Sequence, residues 1–442
     1  MSNQQPSARP ARPAPRPGPG GTSPDLNADY TAVPAKCLVL RAIYRVVTWL
    51  FLFFMRKHID RIVGLEHLPE KGPFVIVANH LSYMDDFLLA HAIRLYYGEK
   101  LYIPTNRKAF KGIFRSWLHL ACGAVEIDPA DREGTYRALR RLIADGRIVL
   151  VFPEGTRSDG KALLPFKFGA FNLARELGVP LVPVALLDTH RVLPKCRLWP
   201  VKGSRASAVM LPPVLPADFE RDGVPAVKAS CRERLAAVLQ SEAPWNAEAA
   251  QVTARHLAAR AEHLLEDLIE RGPEMIRWTD LRPVFRLVEL ASHSDPGSHE
   301  MQVQQFRAWG FRLLSAPKPL APLLLPRFRA LGACALRRDP HQPFVHYVHG
   351  QFHLRAPRIV GGSRQRALAS FEEAYRSAPS YGIDRTRFSI SYAQALARNG
   401  QRHHALHLLQ RDFAGYPLHP TRLKQRAERA GALVLRLQAA HP

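Results

Sequence analysis

Phe74-Val75-Ile76-Val77-Ala78, running directly into Asn79-His80-Leu81-Ser82-Tyr83-Met84-Asp85, decides how this chain is read. The apolar run, rich in β-branched residues, predicts a buried strand. Ser82 stands three residues ahead of Asp85, a capping-box-like pair that predicts a helix beginning at Ser82. Phe87-Leu88-Leu89-Ala90 would be its apolar body. His80 then falls on the turn between strand and helix. Positions five apart within a regular helix point about 140° apart and do not meet. Because His80 precedes the helix, its ring can fold back over the first turn and donate one N–H to Asp85. The other ring nitrogen is left to take a proton from a hydroxyl. Taken alone, the same residues also fit a helix cap beside an ordinary loop histidine.

A second apolar run, Ile148-Val149-Leu150-Val151-Phe152, leads into Pro153-Glu154-Gly155-Thr156-Arg157-Ser158. Gly155 permits a tight turn, and Arg157 offers a planar fork suited to phosphate. Glu154 is placed to orient that arginine or to accept from a hydroxyl. An exposed turn with a surface ion pair is the plainer alternative. A base with an orienting acid, joined to an anion-binding turn, points to transfer of an acyl group onto an anionic alcohol.

These residues also carry a family resemblance, over about 63–183. Val63-Gly64-Leu65-Glu66-His67-Leu68-Pro69, Asn79 to Asp85, Phe152 to Ser158, Pro165-Phe166-Lys167-Phe168-Gly169-Ala170 and Val179 to Val184 resemble, in order, blocks of the 1-acylglycerol-3-phosphate acyltransferases. The resemblance implies a glycerolipid acyltransferase-like sheet-and-helix fold with His80 as general base and Asp85 as its orienting partner. Glu154, Gly155, Thr156 and Arg157 would bind the acceptor. It also implies acyl-CoA or acyl carrier protein as donor, 1-acylglycerol-3-phosphate as acceptor, and neither metal nor cofactor. One block departs from the family. Gly123-Ala124-Val125-Glu126-Ile127-Asp128 is followed by Pro129, where the family usually has a phosphate-contacting arginine. Unless Arg132 takes its place, another lysolipid, such as a lyso-ornithine lipid or a lysophospholipid, becomes an alternative acceptor. A non-catalytic lipid-binding adaptor is the alternative outside the enzymes; the presence of His80, Asp85 and the whole Phe152–Ser158 block argues against it.

Outward from these motifs, the chain divides by composition. Residues 1–34 are rich in Pro, Arg, Gly and Ser and are expected to be disordered. Residues 35–58 hold the apolar run from Val46 to Met55, followed by Arg56 and Lys57. Ten residues span about 15 Å as helix, half of a bilayer core, so an in-plane or half-buried membrane anchor on the cytoplasmic face is expected, with a buried helix of the soluble fold as alternative. Residues 59–241 alternate strands and helices, an α/β pattern. Strands are predicted at 74–78, 123–127, 148–152, 181–186 and 206–211, and a closing helix at 224–240. Residues 245–442 read as all-helical.

Within that last region Ala367, Phe371, Ala374 and Pro379 recur as Ala405, Leu409, Asp412 and Pro417. The spacing resembles tetratricopeptide helix pairs over about 344–420, although their period is 34, and a generic bundle of helical hairpins is the alternative; repeats would form a concave surface for a protein partner. His346, His349 and His353 lack companion ligands and are expected to be ordinary helix-surface histidines. The net charge of +24 divides evenly about residue 243 and comes with no nucleic-acid motif. It favours an anionic membrane surface over nucleic acid. The 5 cysteines, an odd number without ligand spacing, suit a reducing compartment.

Overall fold

A computed structural model describes residues 53–106, 123–127, 130–160, 162–195, 197, 199–271, 276–317, 319–414 and 421–439. The expected disordered tail and all but the end of the expected anchor lie outside the described residues. What is described of the anchor is a helical turn ending at Met55, then a 3-10 turn, Arg56–His58.

Seven strands form one sheet: β1 (Ile59–Val63), β2 (Phe74–Ala78), β3 (Leu101–Asn106), β4 (Ala124–Ile127), β5 (Ile148–Val151), β6 (Leu181–Leu187) and β7 (Ala206–Met210). Their order is β1-β7-β6-β2-β5-β3-β4. The pairs are parallel except β6 with β7. β2 sits in the middle, buried at every residue, which is why its sequence is continuously apolar rather than alternating. Its side chains still divide between two cores by the two-residue strand period. Phe74, Ile76 and Ala78 join one core; Val75 and Val77 join the other.

The second face is covered by α2 (Arg132–Ala144), α3 (Gly169–Leu177) and α5 (Pro216–Gln240). α5 starts eight residues before the predicted closing helix and bends at Gly223, which has non-helical φ and ψ. The first face carries α1 (Met84–Tyr97) and the short α4 (Thr189–Val192), together with α6 (Ala247–Arg271), α7 (Arg282–Ser294) and α8 (His299–Ser315). Thus the secondary structure changes near residue 245 as expected, but the hydrophobic core does not divide there. Leu257, Leu265, Leu287 and Leu290 are buried in the same core as Phe74 and Leu88, because the apolar face of the sheet needs more cover than α1 alone supplies.

A separate core forms beyond it, from α8 through α9 (Ala321–Arg338), α10 (Pro343–Arg355), α11 (Arg364–Ser377), α12 (Thr386–Arg398), α13 (Arg402–Phe413) and α14 (Thr421–Ala439). The repeat positions Ala367, Phe371 and Ala374 on α11, and Ala405 and Leu409 on α13, are buried there. α8 serves both cores: Met301 and Phe311 face the first, Val303 and Phe306 the second. Between the two cores Arg307 is buried beside Glu266 and donates to Gln304 Oε1 at 2.9 Å. Among the described residues no helix is long and apolar enough to cross a membrane.

Candidate active site

The site lies at the carboxyl ends of β2 and β5, where open α/β sheets hold their ligands. The two strands pair Val77 with Val151, so His80 and Glu154, each three residues on, leave the sheet at the same level. The turns are stitched together twice. The His80 N–H donates to Glu154 Oε1 at 2.9 Å, and the Ser158 N–H donates to the His80 carbonyl at 2.8 Å. On the other side Asn79 grips β6: its amide donates to the Leu186 carbonyl at 2.9 Å and accepts from the Leu186 N–H at 2.7 Å.

His80 Nδ1 lies 2.8 Å from Asp85 Oδ2. A carboxylate can only accept, so Nδ1 carries the hydrogen and Nε2 keeps its lone pair. The ring lies flat against Phe152, with centroids 3.9 Å apart and an interplanar angle of 13°. Asp85 is fully buried, and its Oδ2 also accepts from the amides of Leu81 at 2.6 Å and Ser82 at 2.8 Å. With these amides tied to Asp85, α1 begins at Met84, with Tyr83 at its N-cap, rather than at Ser82. Ser82 Oγ accepts from the Met84 N–H at 3.1 Å and donates to the Leu193 carbonyl at 2.6 Å.

The residues of the second motif fare differently. Glu154, expected to orient Arg157 or meet a hydroxyl, instead gives both oxygens to backbone amides. Oε1 takes His80 N–H and Oε2 takes Leu164 N–H at 2.9 Å. Its burial raises its pKa, and the two amide donors oppose that shift. Glu154 therefore braces the turns, a part the sequence concealed because the Leu164 amide arrives from ten residues downstream. Gly155 has φ +72°, a backbone state that suits glycine. A Cβ there would fall 2.3 Å from Lys167 Nζ. Thr156 is exposed at the turn. The Arg157 guanidinium lies 4.2 Å above the Tyr83 ring. Its Nη1 is buried without a hydrogen-bond partner among the described residues.

Lys195 Nζ donates to the Arg157 carbonyl at 3.1 Å, so Arg157, Lys167 and Lys195 gather positive charge around one turn. Neither lysine, nor the Tyr83 platform, nor Phe152 under His80 was singled out from the sequence. Asp86 was also missed: desolvation pushes its carboxyl up to about 7, against the lowering pull of His80, with Asp85 raising it and Arg157 lowering it. Pro129 lies outside the described residues, and Arg132 opens α2 as an exposed side chain. Of the three histidines on α10, the His346 and His353 rings bond to the carbonyls of Pro340 and Gly361, and His349 packs on Phe306.

Residues 61–187 match the model of the Acyltransferase family. A 1-acyl-sn-glycerol-3-phosphate acyltransferase of Chlamydomonas reinhardtii is 36% identical over 164 residues, 36% of this chain and 48% of that protein. The enzyme of the same name from Salmonella typhimurium is 32% identical over 170 residues, 36% of this chain and 64% of that protein. A crystal structure of a 1-acyl-sn-glycerophosphate acyltransferase from Thermotoga maritima matches 48% of this chain and 86% of that one, at 24% identity and a TM-score of 0.37. The chain thus spans about half to under two thirds of the length of these curated relatives.

Proposed function

From the premise that residues 61–187 form a domain of the acyltransferase family, we propose that this protein moves a fatty acyl group from acyl-CoA or acyl carrier protein to 1-acylglycerol-3-phosphate, giving phosphatidic acid. The observation that carries the reading is the His80–Asp85 pair standing beside a turn whose Arg157 has a buried nitrogen with no partner among the described residues. The acceptor hydroxyl hands its proton to His80 Nε2 as its oxygen attacks the thioester carbonyl. Asp85 holds the ring in the required tautomer and steadies the imidazolium that forms. The tetrahedral intermediate then collapses, the C–S bond breaks, and the thiolate takes the proton back from His80. No serine nucleophile is needed, because the acceptor supplies its own alcohol. Arg157, with Lys167 and Lys195 nearby, holds the phosphate by charged hydrogen bonds.

Because the acceptor is a lipid, the protein works at a membrane surface, on the cytoplasmic face where acyl donors are available. Phe53 and Phe54 precede Arg56 and Lys57, whose charged ends lie 4.1 Å and 5.3 Å above the Phe53 ring, a pairing suited to the headgroup boundary. The helices α10 to α13, beyond α9, are read as the seat of a protein partner, such as a donor-bearing carrier. Pro129 favours a second reading, in which the acceptor carries another head group. A panel of lysolipids, followed by product mass, separates the two. Lysophosphatidic acid is expected to be the preferred acceptor. Arg157→Ala should then lower kcat/KM by roughly 1.5–3 kcal/mol, the worth of a charged hydrogen bond. Preference for a phosphate-free acceptor, with kcat/KM unchanged by Arg157→Ala, would reject the phosphate assignment.

A further inference from the structure

We propose that the first turns of α7 and α9, with the middle of α8, form a second membrane-contact surface that seats on anionic lipid. The proposal rests on the reading above that the enzyme works at a lipid surface. Its centre is an edge-to-face pair, Phe285 of α7 and Trp309 of α8, with ring centroids 5.9 Å apart. Arginines crowd these rings: the Arg312 guanidinium lies 4.8 Å from the Trp309 centroid, and Arg327 of α9 approaches the same ring at 5.2 Å. Flanking this core, Trp278 is 50% exposed with Arg282 stacked 4.8 Å above it, and Leu323, one turn ahead of Arg327, is 75% exposed.

Tryptophan and arginine side by side, with an exposed leucine nearby, match the bilayer interface. The rings sit at headgroup level, the apolar tip enters the acyl boundary, and the guanidinium groups meet lipid phosphate. Among the described residues none of these arginines forms an ion pair, and two acids of the same region are engaged elsewhere. Asp280 turns its carboxylate onto the Arg277 amide at 2.9 Å, and Glu289 pairs with Arg56 at 3.1 Å.

Two further observations select lipid over a protein partner. The chain's net charge of +24 complements an anionic surface. The patch also connects to Phe53 through Glu289 and Arg56. Arg282, Phe285 and Glu289 recur at i, i+3 and i+7, so they share one face of α7. Glu289 at the far end of that face holds Arg56, which lies over Phe53. Phe53 and this face of α7 would therefore meet the membrane together, on the layer that contains α1 and leads to His80.

The test is vesicle flotation of the full chain, comparing phosphatidylcholine vesicles with vesicles that also contain phosphatidylglycerol. The native chain should prefer the anionic vesicles and be released by salt. The triple variant Leu323→Ser, Arg312→Gln, Arg327→Gln should lower its partition coefficient at least about tenfold. Its kcat/KM on a short-chain, monomeric lysophosphatidic acid should be unchanged. Flotation equal to the native chain would overturn the proposal, as would a variant that loses self-association or a protein partner but keeps lipid binding. Because flotation is read without turnover, failure of the acyltransferase reading would show separately, as no product in the soluble assay.

Discussion

His80 can serve as a base only while its ring is held, and the hold comes from Glu154 as much as from Asp85. Glu154 accepts from the amides of His80 and Leu164, so Glu154→Gln leaves one amide facing an NH2 group. The expected result is a loss of about 1–3 kcal/mol in thermal or urea stability, the cost of an unmet buried donor, with kcat reduced through a misplaced His80 and acceptor KM little changed. Should KM rise while stability and kcat hold, Glu154 would instead touch the acceptor. Asp86 gives a pH test. Its folded-state pKa is raised from the ordinary 3.8 to about 7, so the folded protein favours the protonated form. Ionisation therefore removes stability progressively as pH rises from about 4 to about 7, and the full penalty stands above that window. Asp86→Asn should raise Tm over the native protein at pH 8 and leave it unchanged near pH 4; a pH-independent difference would contradict this.

At the scale of elements, β2, β5, β6 and β7 could be read directly, because strands buried on both faces are written as largely apolar runs, with Ser207 the one hydroxyl in β7. β1 and β3 were not among the predicted strands. Asp60 and Arg61 interrupt the edge strand β1, and Pro104, Thr105 and Asn106 end β3 without an apolar signal. The His80–Asp85 bond was legible because both partners lie in one local segment. The bracing by Glu154, the Asn79 grip on Leu186 and the Lys195 contact were not. Each depends on which strands and loops become neighbours, and that is decided by long-range pairing such as β2 between β5 and β6. Only α11 and α13, which start at Arg364 and Arg402, keep the 38-residue sequence offset; α10 and α12 start at Pro343 and Thr386 and do not share it.

For the whole molecule, composition suggested a catalytic part ending near residue 241 with a helical appendage, whereas one core joins the sheet to α6, α7 and α8. Leu257, Leu265, Leu287 and Leu290 are each at most 1% exposed, and burying such side chains stabilises by about 1.5–3 kcal/mol apiece. A fragment ending at Gln240 should consequently aggregate or melt without a cooperative transition, measured by calorimetry. A soluble fragment with a sharp transition would show that the sheet needs no cover from these helices. The central claim, acyl transfer with His80 as base, is tested most directly by giving the purified full chain labelled acyl-CoA or acyl carrier protein and lysophosphatidic acid. The native protein should form phosphatidic acid, and His80→Ala, still folded by circular dichroism, should lose about 10²–10⁴-fold in kcat, the usual share of a general base. A folded His80→Ala protein that turns over at the native rate would contradict the account.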